Sequence, residues 1–152
     1  MLESIDTLVS LFSAATASLD VSVEDGRPGA SEHPIRLTVG TPDQGVEEIG
    51  AFTTPAWSFE QSEPEGWGGR PQYERLTVSC SLRIPPLAGL PTPSDVRVRY
   101  DEIVTACRST ISGPALGCQV AYMVERDGFQ ADSPSGWSLV GTFAVVMVSI
   151  IR

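Results

Sequence analysis

Residues 73–84 read YERLTVSCSLRI. Leu76, Val78, Cys80, Leu82 and Ile84 are apolar, and Arg75, Thr77, Ser79, Ser81 and Arg83 between them are polar. Side chains in a strand alternate between faces, so a period of two predicts one buried and one wet face. No helical period fits. One wet face points to an antiparallel sheet rather than a parallel one covered on both sides. The stretch is longer than an average strand, which predicts a central strand or the stem of a hairpin. The rest of the chain has to supply the cover for its apolar face.

Upstream, Leu2, Ile5, Leu8, Val9, Phe12 and Ala15 recur at helical spacing, which predicts an amphipathic helix over residues 1–17. Glu3 and Asp6 lie near its N-terminus, where the macrodipole favours negative charge. Residues 19–23 and 35–39 each alternate as short strands, joined by a turn-rich stretch at 24–34. They read as a hairpin with a long loop. Residues 41–72 are the least regular part: a strand within 49–57 interrupted by Pro55, then a Gly- and Pro-rich exposed, mobile loop at 60–71.

Downstream, Val96, Tyr100, Ile103, Val104, Cys107 and Ile111 form an apolar stripe, so residues 94–111 read as a second helix. Ser94 is its expected N-cap and Gly113-Pro114 its expected end. Residues 119–126 form a strand with Val120, Tyr122 and Val124 on one face, followed by a turn-rich loop at 127–135. Residues 137–151 form a last strand that is apolar on both faces: Phe143, Val145 and Met147 on one, Val140, Ala144, Val146 and Val148 on the other. Such a strand is central, or another chain covers its second face. The expected fold is therefore a single α+β domain over residues 1–152, with a largely antiparallel or mixed sheet and two helices on one face.

Composition narrows the function classes. The chain has 152 residues, one domain by length, with a net charge of −9. That charge argues against a basic face for nucleic acid. There are ten Arg and no Lys or Asn, a bias expected of GC-rich coding. Cys80, Cys107 and Cys118 have neither CxxC nor zinc-ligand spacing, and free thiols suit a reducing cytoplasm. The first residues, MLESIDTLVSLF, carry acids where a signal peptide needs cations, and no apolar run reaches the roughly 20 residues of a membrane span.

No residue pattern indicates an enzyme, a cofactor or a metal. His33 is the single histidine, with only Glu32 beside it as a potential co-ligand. Glu47, Glu48, Glu63 and Glu65 read as solvated loop acids. Gly66, Gly68 and Gly69 lack the Lys and helix start of a phosphate loop. Ser112-Gly113 and Ser135-Gly136 lack the setting of a nucleophile elbow. The candidate site is instead an interface. Trp57, Phe59, Trp67, Arg70 and Tyr73 crowd an irregular segment, and such aromatics either tuck onto the core or anchor a partner.

Order and spacing of weak motifs resemble the tail terminator proteins of long-tailed, siphovirus-type bacteriophages. The residues concerned are Val23-Glu24-Asp25-Gly26-Arg27-Pro28 after the first helix, then Leu37-Thr38-Val39-Gly40. They continue with Glu74-Arg75-Leu76-Thr77-Val78-Ser79-Cys80, Ala115-Leu116-Gly117-Cys118-Gln119-Val120 and the apolar terminal strand. The resemblance implies a structural virion protein, assembled in the host cytoplasm as a homohexameric ring. The ring caps the head-proximal end of the tail tube, halts polymerisation and presents a surface to the head connector. Its implied partners are itself, the tail-tube protein and the connector. DNA passes through the lumen without stable binding, and Glu24, Asp25, Glu47 and Glu48 are the candidate lumen acids. Another neck, connector or tail-tube protein is the alternative within the class, and a small ligand-binding domain the alternative outside it.

Overall fold

A computed structural model describes residues 2–25, 33–40, 57–62 and 72–151. The elements in chain order are α1 (Leu2–Ala15), β1 (Ser22–Asp25), β2 (Arg36–Val39), β3 (Trp57–Ser62), β4 (Gln72–Ile84), α2 (Pro93–Arg108), α3 (Gly113–Leu116), β5 (Val120–Ser133) and β6 (Gly136–Ile151). The strands form one mixed sheet in the order β1-β2-β4-β6-β5, with β3 also paired to β4. The fold is α+β. The quoted stretch is a central strand: β6 pairs with it from Gln72↔Ile151 to Ile84↔Leu139.

Helices α1 and α2 cover one face of the sheet. Ile5, Leu8 and Phe12 of α1 and Val96, Ile103, Val104 and Cys107 of α2 join one buried cluster. Its sheet members include Leu37 and Val39 on β2, Val78, Cys80, Leu82 and Ile84 on β4, and Phe143, Val145 and Met147 on β6. The alternation in β4 therefore has the expected sense, with two departures. Leu76, on the apolar face, is only partly buried against the cluster. Ser81 was expected to be wet and is buried. It sits between Thr38 of β2 and Thr142 of β6, mid-sheet, where strands on both sides shield it. Val78 has no exposed surface. Val78→Ala is expected to cost about 1–3 kcal/mol through lost burial and a residual cavity. Thr77→Ala should cost less in the same denaturant titration, and the reverse order would overturn the face assignment.

Other expectations need correction. Residues 19–23 and 35–39 do not form a hairpin: β1 and β2 are parallel, Ser22↔Arg36 to Asp25↔Val39. Alternation reports which residues share a face and carries no information on strand direction. Leu19 and Asp20 belong to the turn after α1, where Asp20 takes a left-handed φ of 57°. The N-cap of α2 is Thr92, not Ser94. Its hydroxyl accepts from the Asp95 amide, and the Asp95 carboxylate accepts from the Thr92 amide. Pro93 takes the first helical position, where no N–H is needed.

The same helix ends at Arg108, before Gly113-Pro114. Ser109 Oγ donates to the Ala106 carbonyl at 2.6 Å and Thr110 Oγ1 to that of Cys107 at 2.7 Å. These hydroxyls bond to carbonyls of the last helical turn, where the regular helix ladder runs out. Gly113 and Pro114 instead open α3, a helix the periodicity did not announce. The loop expected at 127–135 is mostly strand. After a bulge between Glu125 and Gly128, β5 pairs with β6 as far as Ser133↔Gly136. Only Pro134 and Ser135 make the turn, because the long partner strand outweighs the turn-forming local composition. Within the irregular stretch expected at 41–72, Trp57–Ser62 and Gln72 lie in strands. This places Glu60 in β3 rather than at the start of a loop. Residues 41–56 and 63–71 lie outside the described residues.

Candidate functional site

Two strands share one edge of β4. Residues 36–39 of β2 pair with 83–80, and the Gly40 amide donates to the Ser79 carbonyl at 2.9 Å. Trp57 of β3 then pairs with Val78, and the ladder runs on to Ser62↔Tyr73. No partner on β4 is skipped, although residues 41–56 intervene in the chain. Gly40 makes the exit: its φ is +93°, and a Cβ there would approach Ile5 Cδ1 to 2.9 Å. Only glycine meets both demands easily.

That ladder places three of the five candidate residues. Trp57 and Phe59 are in β3, opposite Val78 and Leu76, and Tyr73 is in β4, opposite Ser62 and Ile150. The structure brings these three onto adjacent strands. Trp67 and Arg70 lie outside the described residues.

The face of the sheet opposite α1 and α2 follows from the register. Phe129, Val140, Arg83 and Arg36 form one cross-strand row; Tyr122, Val146 and Thr77 form another, and Val120, Val148 and Arg75 a third. The β5–β6 half of this face is apolar and the β4–β2 half polar and basic. Ala144 and Val146 are buried, whereas Val120, Tyr122, Val124 and Phe129 on edge strand β5 are 53%, 43%, 42% and 71% exposed. Arg126 in the bulge reaches back over the face to Ser79 Oγ at 3.5 Å. Sequence reading grouped Val120, Tyr122 and Val124 but did not single them out as an interface. The available signal was three apolar residues in alternation on a strand whose other neighbours were unknown.

His33 lies beside the turn after α1. Its Nε2 is 2.9 Å from Asp20 Oδ1, and its Nδ1 is 2.9 Å from the Ile35 carbonyl and 3.2 Å from the Ile35 amide. The protonated ring donates to both oxygens; the neutral ring keeps the Asp20 bond and accepts from the Ile35 amide. Asp20, thirteen residues away, was the partner that local sequence did not suggest. Its hydrogen bond raises the His33 pKa above 6.5, the ordinary value, with burial acting in the opposite sense. A raised folded-state pKa contributes stability that is complete below about pH 6.5 and is lost as pH rises through the higher folded value. Unfolding free energy should therefore fall slightly across that window, since Asp20 is solvent-exposed and screened. Asp20→Asn tolerates the left-handed φ and removes the charge, so its titration should be flatter. An equal pH slope in wild type and variant would exclude the pair as the cause.

The thiols are not poised as nucleophiles. Burial pushes Cys80 far up and Cys107 up to about 12, and it raises Cys118 as well. All three are free. Among the described residues no three His, Cys, Asp or Glu side chains converge as a metal site. No helix among them is long and apolar enough to cross a membrane. No protein-family model matches the chain, and no curated protein is significantly similar to it.

Proposed function

We propose that this chain is a structural assembly protein of a phage virion, a tail-terminator-type subunit. It self-associates into a ring that caps the head-proximal end of the tail tube, stops polymerisation and receives the head connector. The observation that carries the reading is the one-sided architecture. The helices cover one face of the sheet, while the other, among the described residues, ends in edge strand β5 with four exposed apolar side chains. Surfaces of that kind mark contacts with other proteins. The order of elements that underlies the family resemblance is a second support.

The test is to add the purified chain to polymerising tail-tube protein from the same phage genome. Arrested growth, with the chain at one tube end by electron microscopy, is the expected result. Tubes that grow unchanged, with the chain free in solution, would refute the reading.

The same reading predicts the response to DNA. A channel for the genome must not bind phosphates, which a basic lining would do with strong salt dependence. With a net charge of −9 the chain is expected to give no duplex shift in a gel at about 0.15 M salt. Tight, salt-sensitive binding would contradict a passive channel.

A further inference from the structure

We propose that the outer edge of β5, residues 120–124, pairs with the same edge of a second copy of this chain, as antiparallel strands related by a two-fold axis at Tyr122. Among the described residues the strand order ends in β1 and β5, and the two ends differ. β1 is short and carries Glu24 and Asp25, charges of the kind that guard an edge, and both are engaged in interactions of their own. The first five residues of β5, VAYMV, contain no charge, Pro or Gly.

The unguarded stretch is bounded on both sides. Before it, the Cys118 thiol donates to the Val120 carbonyl at 3.3 Å. After it come Glu125, Arg126 and Asp127, with the bulge between Glu125 and Gly128. Charge and bulge both blunt an edge. Between these limits β6 pairs with every residue, from Val120↔Val148 to Val124↔Ala144, so the strand is ordered before any partner arrives. Val120, Tyr122 and Val124 stand exposed on one face, while Ala121 and Met123 pack against the core on the other.

An edge strand takes another strand, and this stretch is complementary to itself. Antiparallel about Tyr122, Val120 lies opposite Val124, Ala121 opposite Met123 and Tyr122 opposite its own copy. Directly opposed residues share a face, so the two exposed stripes merge into one apolar row of six side chains. The first charges beyond the stretch meet neutral residues, Glu125 opposite Gln119 and Arg126 opposite Cys118. A parallel in-register pair would instead set Glu125 against Glu125 and Arg126 against Arg126, and like charges directly opposite destabilise a pair. An antiparallel register moved two residues toward the bulge would oppose Val120 to Arg126 and Ala121 to Glu125. One moved by a single residue would turn the two apolar stripes to opposite faces. Five residues a side make a contact at the low end of interface sizes, below about 1,200 Å², hence a reversible dimer. The contact is isologous and closes at two copies. It neither forms the proposed ring nor rests on that reading.

The test puts charge on the axis of the full-length chain. Tyr122→Lys sets two ammonium groups against each other in the dimer, and Tyr122→Glu sets two carboxylates. Phe129→Lys is the control, since Phe129 is more exposed than Tyr122 but lies beyond the bulge. Each variant is checked for folding by circular dichroism and melting. In sedimentation velocity the wild type should show a monomer–dimer equilibrium. Each Tyr122 variant should raise the dimer Kd about tenfold or more, and Phe129→Lys should change it less than about twofold. An equal mixture of Tyr122→Lys and Tyr122→Glu should restore the dimer. A wild type that stays monomeric, a mixture as weak as either variant, or an equal loss from Phe129→Lys would overturn the proposal. A larger assembly that Tyr122→Lys leaves unchanged would overturn it too, while leaving the ring, which tube-growth arrest tests separately. Amide hydrogen exchange of the wild type depends on no variant's folding: protection within 120–124 should rise with protein concentration, and protection that does not change would overturn the edge contact.

Discussion

Phe12→Ala is expected to lower the unfolding free energy by about 3–5 kcal/mol, as large buried aromatics do when truncated. Phe12 is fully buried and meets Phe143 of β6 edge to face, with ring centroids 6.2 Å apart and planes at 66°. The pair fastens α1 to the centre of the sheet, and Ile5 and Leu8 share its cluster. Removing the ring leaves a cavity between layers that cannot collapse without tilting the helix. Against a typical total of about 5–15 kcal/mol, such a loss is a large fraction. Urea titration measures it, and a double-mutant cycle with Phe143→Ala isolates the ring–ring contribution. A loss below about 1 kcal/mol would mean that α1 is not anchored through this contact.

Gly141→Ala should cost about 3 kcal/mol, at the upper end of the usual overpacking range. Gly141 is buried in β6, paired to Leu82 and Gly128. A Cβ at this position would overlap the Oη and Cζ of Tyr100, whose ring comes down from α2 onto the bare strand. Tyr100 is itself half-buried, and that burial pushes its phenol up to about 12. The added methyl has to displace the ring or lift α2 from the sheet. Tyr100→Ala should vacate the space, so the double variant should be clearly less destabilised than the sum of the singles. Strict additivity would show that strand backbone, rather than Tyr100, sets the cost.

Gly141 also marks the limit of legibility. In sequence it is a glycine that breaks an apolar strand, and nothing local says whether it marks a bulge, a bend or a close approach. The approach of Tyr100 depends on where α2 lands, 41 residues away in the chain. The same holds for β1 and β2. Their alternation was readable, but the parallel pairing was not, because pattern specifies faces and chain connectivity specifies direction. Residues 127–133 failed for a related reason: turn-forming composition competed with a long partner strand, and the partner prevailed. The capping of α2 was locally encoded, since Thr92, Pro93 and Asp95 form a start signal within four consecutive residues.

By itself the sequence determined the α+β class, the apolar stripes of the two long helices and the two faces of β4 and β6. These follow from periods of 3.6 and two acting through burial, which each segment expresses without knowing its neighbours. Tertiary structure alone decided that β3 continues the ladder of β2 along β4, that His33 meets Asp20, and that β5 ends the strand order. It also gathered arginines from β2, β4 and the β5 bulge onto one face of an acidic molecule. Each of these depends on strand order and register, relations between distant segments that no local period contains.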